Sequence, residues 1–239
     1  MAPLRQIFVL SNQLGRSMYE IPDRALIEGL ATADIIDAMT KAFAHRSHIV
    51  DLVSPDPSKV LFGPAVTIGF LPVRRDLMDL RKHSLGPAIY RSLGEREMAG
   101  RVLVMSSSGH HGASLGGSTK LSRVTNHGLA GVLCDARLRD FDELAEYPGA
   151  FYCRGEAVRA GGNEIQPYVT DVPIEVAGVT VVPGDIIFAD STGAAVIPAS
   201  NAEEILKSAR MIKEMGHQML EKIRAEDPGV VIVSGSQEI

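Results

Sequence analysis

Two short apolar runs constrain this chain most: Val102-Leu103-Val104-Met105 and Gly131-Val132-Leu133-Cys134. Neither alternates with polar residues, so each suits a strand covered on both faces. Residues 118–127 between them read as a helix, with Gly128 as its stop. Strand, helix, strand in that order implies a crossover and a partly parallel sheet. Ligands of such sheets bind beyond the carboxyl ends of the strands. Two loops qualify here, one after Met105 and one after Cys134.

The remaining pattern is read around that unit. Residues 22–44 are helical in pattern, with Thr32 as an N-cap inside the stretch and Asp34 in the turn after it. Residues 61–70 read as a strand opening at Gly63-Pro64, and 76–98 as a helix broken near Gly86-Pro87. A further helical segment follows Arg139 and runs to Ala145. After Pro148, short β runs are expected at 150–152, 172–176, 179–182, 186–189 and 194–197, with Asp185 and Asp190 shaping turns. Residues 201–225 form a long amphipathic helix in pattern. The expected organisation is an arm over 1–22, a single α/β domain over 23–226 and a tail over 227–239.

Composition excludes several classes of function. With 24 basic and 29 acidic side chains the formal charge is −5, which gives no general attraction to nucleic acid or anionic membranes. The basic cluster Arg74-Arg75 and Arg81-Lys82 is local. No apolar stretch approaches the roughly 20 residues that span a bilayer, and residues 7–10 are too short for the core of a signal peptide. Cys134 and Cys153 are too few for a disulfide framework, and are expected as buried thiols. The expected location is the cytoplasm.

The first loop, 106–117, is rich in serine and glycine and ends in Gly116-Gly117 at a helix N-terminus formed by Ser118 and Thr119. Unpaired amides there suit a carboxylate or phosphate, and glycine lets a ligand approach the backbone. It is not a P-loop, because Lys120 stands in the wrong place. In the second loop, Arg139 offers a planar fork for a carboxylate and Asp140 a hard oxygen for Mg²⁺ or Mn²⁺.

Beyond these residues the sequence resembles the family of RraA (regulator of ribonuclease E activity A) and the 4-hydroxy-4-methyl-2-oxoglutarate aldolases. The resemblance rests on Thr32-Ala33-Asp34 with Asp37-Ala38, then Gly63-Pro64-Ala65-Val66-Thr67. It continues through Gly128-Leu129-Ala130-Gly131-Val132, Asp135 and Arg139-Asp140, and closes with Pro183-Gly184-Asp185, Ala189-Asp190, Gly193 and Pro198. It implies an RraA-like swivelling β/β/α domain with mixed sheets and a long C-terminal helix. It also implies a homotrimer or homohexamer with sites between subunits. The implied activity is that of a divalent-metal-dependent lyase, with Mg²⁺ or Mn²⁺. Such an enzyme cleaves a carbon–carbon bond in a small 2-oxo or hydroxy acid through a metal-stabilised enolate. By the same resemblance Asp140 holds the metal, Arg139 and the amides of Gly116, Gly117, Ser118 and Thr119 hold the anionic substrate, and Glu214 from a neighbouring subunit completes the site.

The sequence departs from that pattern in places. The aldolases carry an acid where this chain has Ser118, and often an aspartate where it has Ser106. A serine hydroxyl supplies neither charge nor a base near neutral pH. His110 and His111 in the same loop are candidate acid–base or metal groups, and Arg137 is a candidate reader of a second carboxylate. Two alternatives therefore stand beside the lyase: a non-catalytic binding module that regulates a partner enzyme, and a divergent enzyme using His110 or His111 as acid or base.

Overall fold

The computed structural model describes residues 21–79, 81–93 and 99–226. Apart from Ile21 and Pro22, the expected arm lies outside the described residues, as does the tail. A 3-10 turn, Arg24–Ile27, precedes α1 (Thr32–Ala42), β1 (His48–Ile49), β2 (Leu61–Pro72) and α2 (Leu85–Leu93). The central unit is β3 (Val102–Ser106), β4 (Ser114–Gly116), α3 (Ser118–Asn126), β5 (Gly131–Cys134), β6 (Arg137–Leu138), α4 (Phe141–Ala145) and β7 (Ala150–Tyr152). Then come β8 (Ile165–Thr170), β9 (Ile174–Val176), β10 (Val179–Val181), β11 (Ile186–Asp190), β12 (Gly193–Ile197) and α5 (Ala202–Arg224). This is the expected α/β class with mixed sheets and a long C-terminal helix.

The main sheet runs β1-β12-β11-β2-β3-β5-β7. The segment β2-β3-β5-β7 is parallel, as the two apolar runs required, and β11, β12 and β1 extend it antiparallel. Strand β2 is the hinge of the design. Residues 61–64 pair with β11, and 68–72 pair with β8 across an irregularity at Gly69 and Phe70. Its side chains are shared among three cores. Val66, Ile68 and Phe70 meet Leu85, Ile89, Leu121 and Val124 of α2 and α3. Leu61 and Ala65 meet Val176 and Val181 of the β9–β10 hairpin. Phe62 meets Ile35 of α1 and Leu206 of α5. A strand buried on both faces along its first ten positions holds these layers in register.

Several boundaries differ from the sequence reading, each for a physical reason. Residue Ala31, not Thr32, is the N-cap of α1, and the Asp34 carboxylate reaches back to the Ala31 amide at 2.8 Å. Thr32 sits one residue inside, where its amide donates to Asp190 Oδ2 at 2.8 Å and its hydroxyl to the Gly193 carbonyl at 3.2 Å. A carboxylate from β11 thus does the work expected of a local cap. Gly86-Pro87 does not break a helix; it lies in the first turn of α2, where a missing amide costs no hydrogen bond. The chain before it is a set of turns, and 94–98 lie outside the described residues. Strand β8 escaped the sequence reading because Pro167 and its polar neighbours disguise it.

Asp185 closes the turn between β10 and β11, its carboxylate accepting from the Val182 amide at 2.8 Å. Burial pushes its pKa up to about 6. The folded chain therefore holds this proton more tightly than the unfolded one, and stability falls as pH rises from about 4 to about 6. Asp185→Asn is expected to flatten that slope by up to about 2 kcal/mol, discounted for the carboxyl's contact with water. Urea midpoints measured across the window check this, and an unchanged slope refutes it.

Candidate functional site

The loops leaving β3 and β5 are stitched together by backbone bonds. The Arg137 amide donates to the Ala113 carbonyl and the Arg139 amide to the Gly116 carbonyl, each at 3.0 Å, beside the parallel pairing of β4 with β6. This places Gly116-Gly117 against Arg139-Asp140. At Gly117 the contact is tight: a Cβ would lie 2.6 Å from Asp140 Oδ2 and 3.3 Å from Arg139 Cβ, so a side chain there would push the Asp140 carboxylate aside.

Asp140 has φ 65° and ψ 52°, the left-handed region that aspartate tolerates better than most residues. The conformation turns its carboxylate onto the start of α3, whose N-cap Gly117 has no side chain to offer. Oδ2 accepts from both the amide and the hydroxyl of Ser118, each at 3.1 Å. Negative charge at a helix N-terminus is favourable by about 0.5–1 kcal/mol. Oδ1 lies 3.4 Å from an Arg139 guanidinium nitrogen, and the two side chains are 35% and 30% exposed. Behind them, the Phe141 amide donates to Glu156 Oε1 at 2.9 Å and the Leu144 amide to the Asp140 carbonyl at 3.0 Å, which starts α4.

These groups form one side of a cavity of about 260 Å³. Gly116, Gly117, Thr119, Lys120, Arg139 and Asp140 make the polar side. Phe70, Leu85, Leu115 and Ile165 make an apolar wall, and Gly161, Gly162 and Gln166 lie at the β8 side. Lys120, Ile165 and Gln166 were not picked out for the site from sequence. Lys120 could have been, since it follows Ser118 and Thr119 in the first turn of α3. It has no ion pair among the described residues, so its charge is available to the cavity.

The other sequence candidates are placed elsewhere. Ser118 is 2% exposed and lies under the cavity rather than lining it, with its carbonyl accepting from the Tyr147 hydroxyl at 3.2 Å. Ser106 is also buried, and its hydroxyl accepts from the Ser108 amide at 3.3 Å. His110 and His111 do not line the cavity. The turn at Ser108 and Gly109, with φ of 51° and 87°, is followed by His111 Nδ1 at 2.7 Å from the Asp135 carbonyl. His110 is exposed, with Nδ1 3.3 Å from the Ser108 carbonyl. Arg137 donates to the Glu156 carbonyl at 3.0 Å and faces a neighbouring cavity of about 280 Å³ with Arg159 and Glu164. Glu214 lies on the exposed side of α5, accepting from Gln218 at 3.3 Å, and does not reach the cavity of its own chain. Cys134 and Cys153 are buried free thiols, as expected.

The donor set sets limits on a metal. Asp140 is the single carboxylate lining the cavity, and among the described residues no group of three or more His, Cys, Asp or Glu could hold an ion. Mg²⁺ and Mn²⁺ differ from zinc in this respect. Mg²⁺ in particular keeps several waters and is often bound through one or two carboxylates plus substrate oxygens. Asp140 Oδ1, the oxygen not filled by Ser118, fits such an ion.

Comparison with known proteins agrees with the architecture. No helix among the described residues is long and apolar enough to cross a membrane. The chain is 34% identical over 114 residues to a Burkholderia mallei protein named "Putative 4-hydroxy-4-methyl-2-oxoglutarate aldolase", covering 46% of this chain and 66% of that one. It is 24% identical over 184 residues to Protein DlpA of Legionella pneumophila, covering 76% of this chain but 28% of the relative. The chain thus spans between about a quarter and two thirds of the length of these curated relatives. Streptomyces coelicolor RraAS2, described as an unusual member of the RNase ES inhibitor RraA protein family, superposes with a TM-score of 0.70 at 27% identity, over 84% of this chain and 96% of that one. A Pseudomonas syringae protein superposes with a TM-score of 0.73 at 24% identity, over 87% of this chain and 92% of that one. The family model described as RraA-like, Aldolase/RraA, matches residues 32–196, more than half of the sequence, and the chain belongs to that family.

Proposed function

We propose that this protein is a divalent-metal-dependent lyase that cleaves a carbon–carbon bond in a small 2-oxo or hydroxy acid. The observation that carries this reading is the cavity in which Arg139, Asp140 and the Gly116-Gly117 backbone converge. Arg139 binds and orients a substrate carboxylate, with the fork geometry that suits a planar anion. Gly117 leaves room for the Asp140 carboxylate to seat on the start of α3, since a Cβ there would push that carboxylate aside. The apolar wall of Phe70, Leu85, Leu115 and Ile165 lowers the dielectric on one side of these charges. Asp140 Oδ1 would hold Mg²⁺ or Mn²⁺, which supplies a Lewis acid for the negative charge that develops on the 2-oxo group as the bond breaks. Assembly into a trimer or hexamer, with Glu214 of a neighbouring copy near the site, belongs to the same proposal, as does a cytoplasmic location.

The test is pyruvate release from a set of 2-oxo acids with Mg²⁺ or Mn²⁺. Arg139→Ala is expected to lower the rate by about 10²–10³-fold, the usual cost of losing one charge-stabilising donor. Absence of turnover with every acid, together with unchanged ligand binding in Arg139→Ala, sinks the lyase reading. A second reading, a binding module that regulates a partner enzyme, draws on the likeness to RraAS2 and on Ser118 replacing the family's acid. It gains if the same assay is silent and the protein captures one defined enzyme from extract.

A further inference from the structure

We infer that in this chain the divalent cation enters the cavity together with its anionic substrate and does not bind appreciably ahead of it. The inference rests on the lyase reading and concerns what Ser118, Lys120, Arg139 and Asp140 do to metal affinity.

Charge is the first consideration. The cavity is lined by two cations, Arg139 and Lys120, and one carboxylate, Asp140. The α3 N-terminus adds partial positive charge from the same side. A bare divalent cation meets net repulsion from this chain's own groups there. Coordination is the second. Oδ2 of Asp140 is filled by the Ser118 amide and hydroxyl, so Oδ1 alone is left, and it faces Arg139 at 3.4 Å. Octahedral Mg²⁺ takes about six oxygens, and this chain supplies one free carboxylate oxygen. Ser118 is buried beneath and adds no charge where the aldolase pattern places an acid.

A 2-oxo acid reverses both terms. Its carboxylate and keto oxygens add two ligands in one chelate, and its negative charge turns a repelled dication into a complex that Arg139 and Lys120 attract. The coupling is reciprocal: the cation must raise affinity for the acid by the same factor that the acid raises affinity for the cation.

The experiment uses the full-length protein, Mn²⁺ as the cation probe and oxalate as the chelating acid. Binding is read by water-proton relaxation, with protein-free Mn²⁺–oxalate as the baseline. Mn²⁺ alone is expected to bind weakly, in the millimolar range, and oxalate is expected to tighten it by about 10–100-fold, a typical span for coupled sites. Oxalate titrated calorimetrically should gain the same factor from Mn²⁺. Lys120→Met, at an exposed position, is expected to strengthen Mn²⁺ alone and to shrink the coupling. Ser118→Asp should do so more strongly if it folds. Equal Mn²⁺ affinity with and without oxalate overturns the inference while leaving the lyase reading intact. Failure of wild-type protein to bind oxalate with or without Mn²⁺ overturns the lyase reading as well. A Lys120→Met protein with unchanged Mn²⁺ affinity and unchanged coupling overturns the electrostatic argument.

Discussion

Asp140→Asn is expected to abolish measurable pyruvate release, a loss of about 10²–10⁴-fold, while the protein stays folded. Asparagine keeps the two features that the fold needs at this position. It tolerates the left-handed backbone, and its amide oxygen can still accept from the Ser118 amide. It loses the charge, and with it the anionic oxygen that faces Arg139 and the cavity. Thermal stability should fall by no more than about 1 kcal/mol, the worth of one charge–helix-end interaction. Asp140→Ala is the harsher partner, because it strains the backbone and leaves the α3 amide uncapped. Steady-state assay and thermal melting of both variants separate the two roles. Full activity in Asp140→Asn would falsify the assignment of Asp140 to the chemistry.

Gly131→Ala is expected to leave no folded protein. Gly131 has φ 148°, and a Cβ there would sit 1.8 Å from the Ala150 carbonyl oxygen, with the Ala150 carbonyl carbon and amide nitrogen at 2.7 and 2.8 Å. The obstacle is backbone of β7, the strand to which Gly131 pairs, so no side chain can rotate away. Accommodation requires parting β5 from β7 at the start of the central unit. A cost above about 4 kcal/mol is a large fraction of a domain's total of about 5–15. Gly112→Ala is the control, since nothing lies within 4 Å of its added Cβ. Circular dichroism of the two variants tests the contrast, and a folded Gly131→Ala protein with wild-type melting would refute it.

The parallel centre was legible because its strands are buried on both faces and hence uniformly apolar. The two loops that carry Gly116-Gly117 and Arg139-Asp140 were legible for the same reason, since they follow neighbouring strands. The cavity's opposite side was not. Ile165 and Gln166 come from a strand masked by Pro167, and no local pattern says that it pairs with the far half of β2. Interactions across long separations were equally hidden. The Asp190 carboxylate bonds to the Thr32 amide 158 positions away, and Asp140 serves the start of α3 across 22. His111 is a candidate acid, base or metal group by sequence, while its contact with the Asp135 carbonyl depends on a turn whose shape composition alone does not give.

The double service of Asp140 has an evolutionary consequence. One oxygen ties the start of a helix to a strand end, and the other faces the cavity. A descendant that abandoned chemistry for partner binding would still be held to an aspartate or asparagine here by folding alone. Retention of this residue in a relative is therefore no evidence of retained catalysis. Arg139, whose only hydrogen bond among the described side-chain contacts is the long one to its neighbour, is freer to drift. On the proposed lyase reading, its loss or survival is the better marker of which lineages turn over substrate.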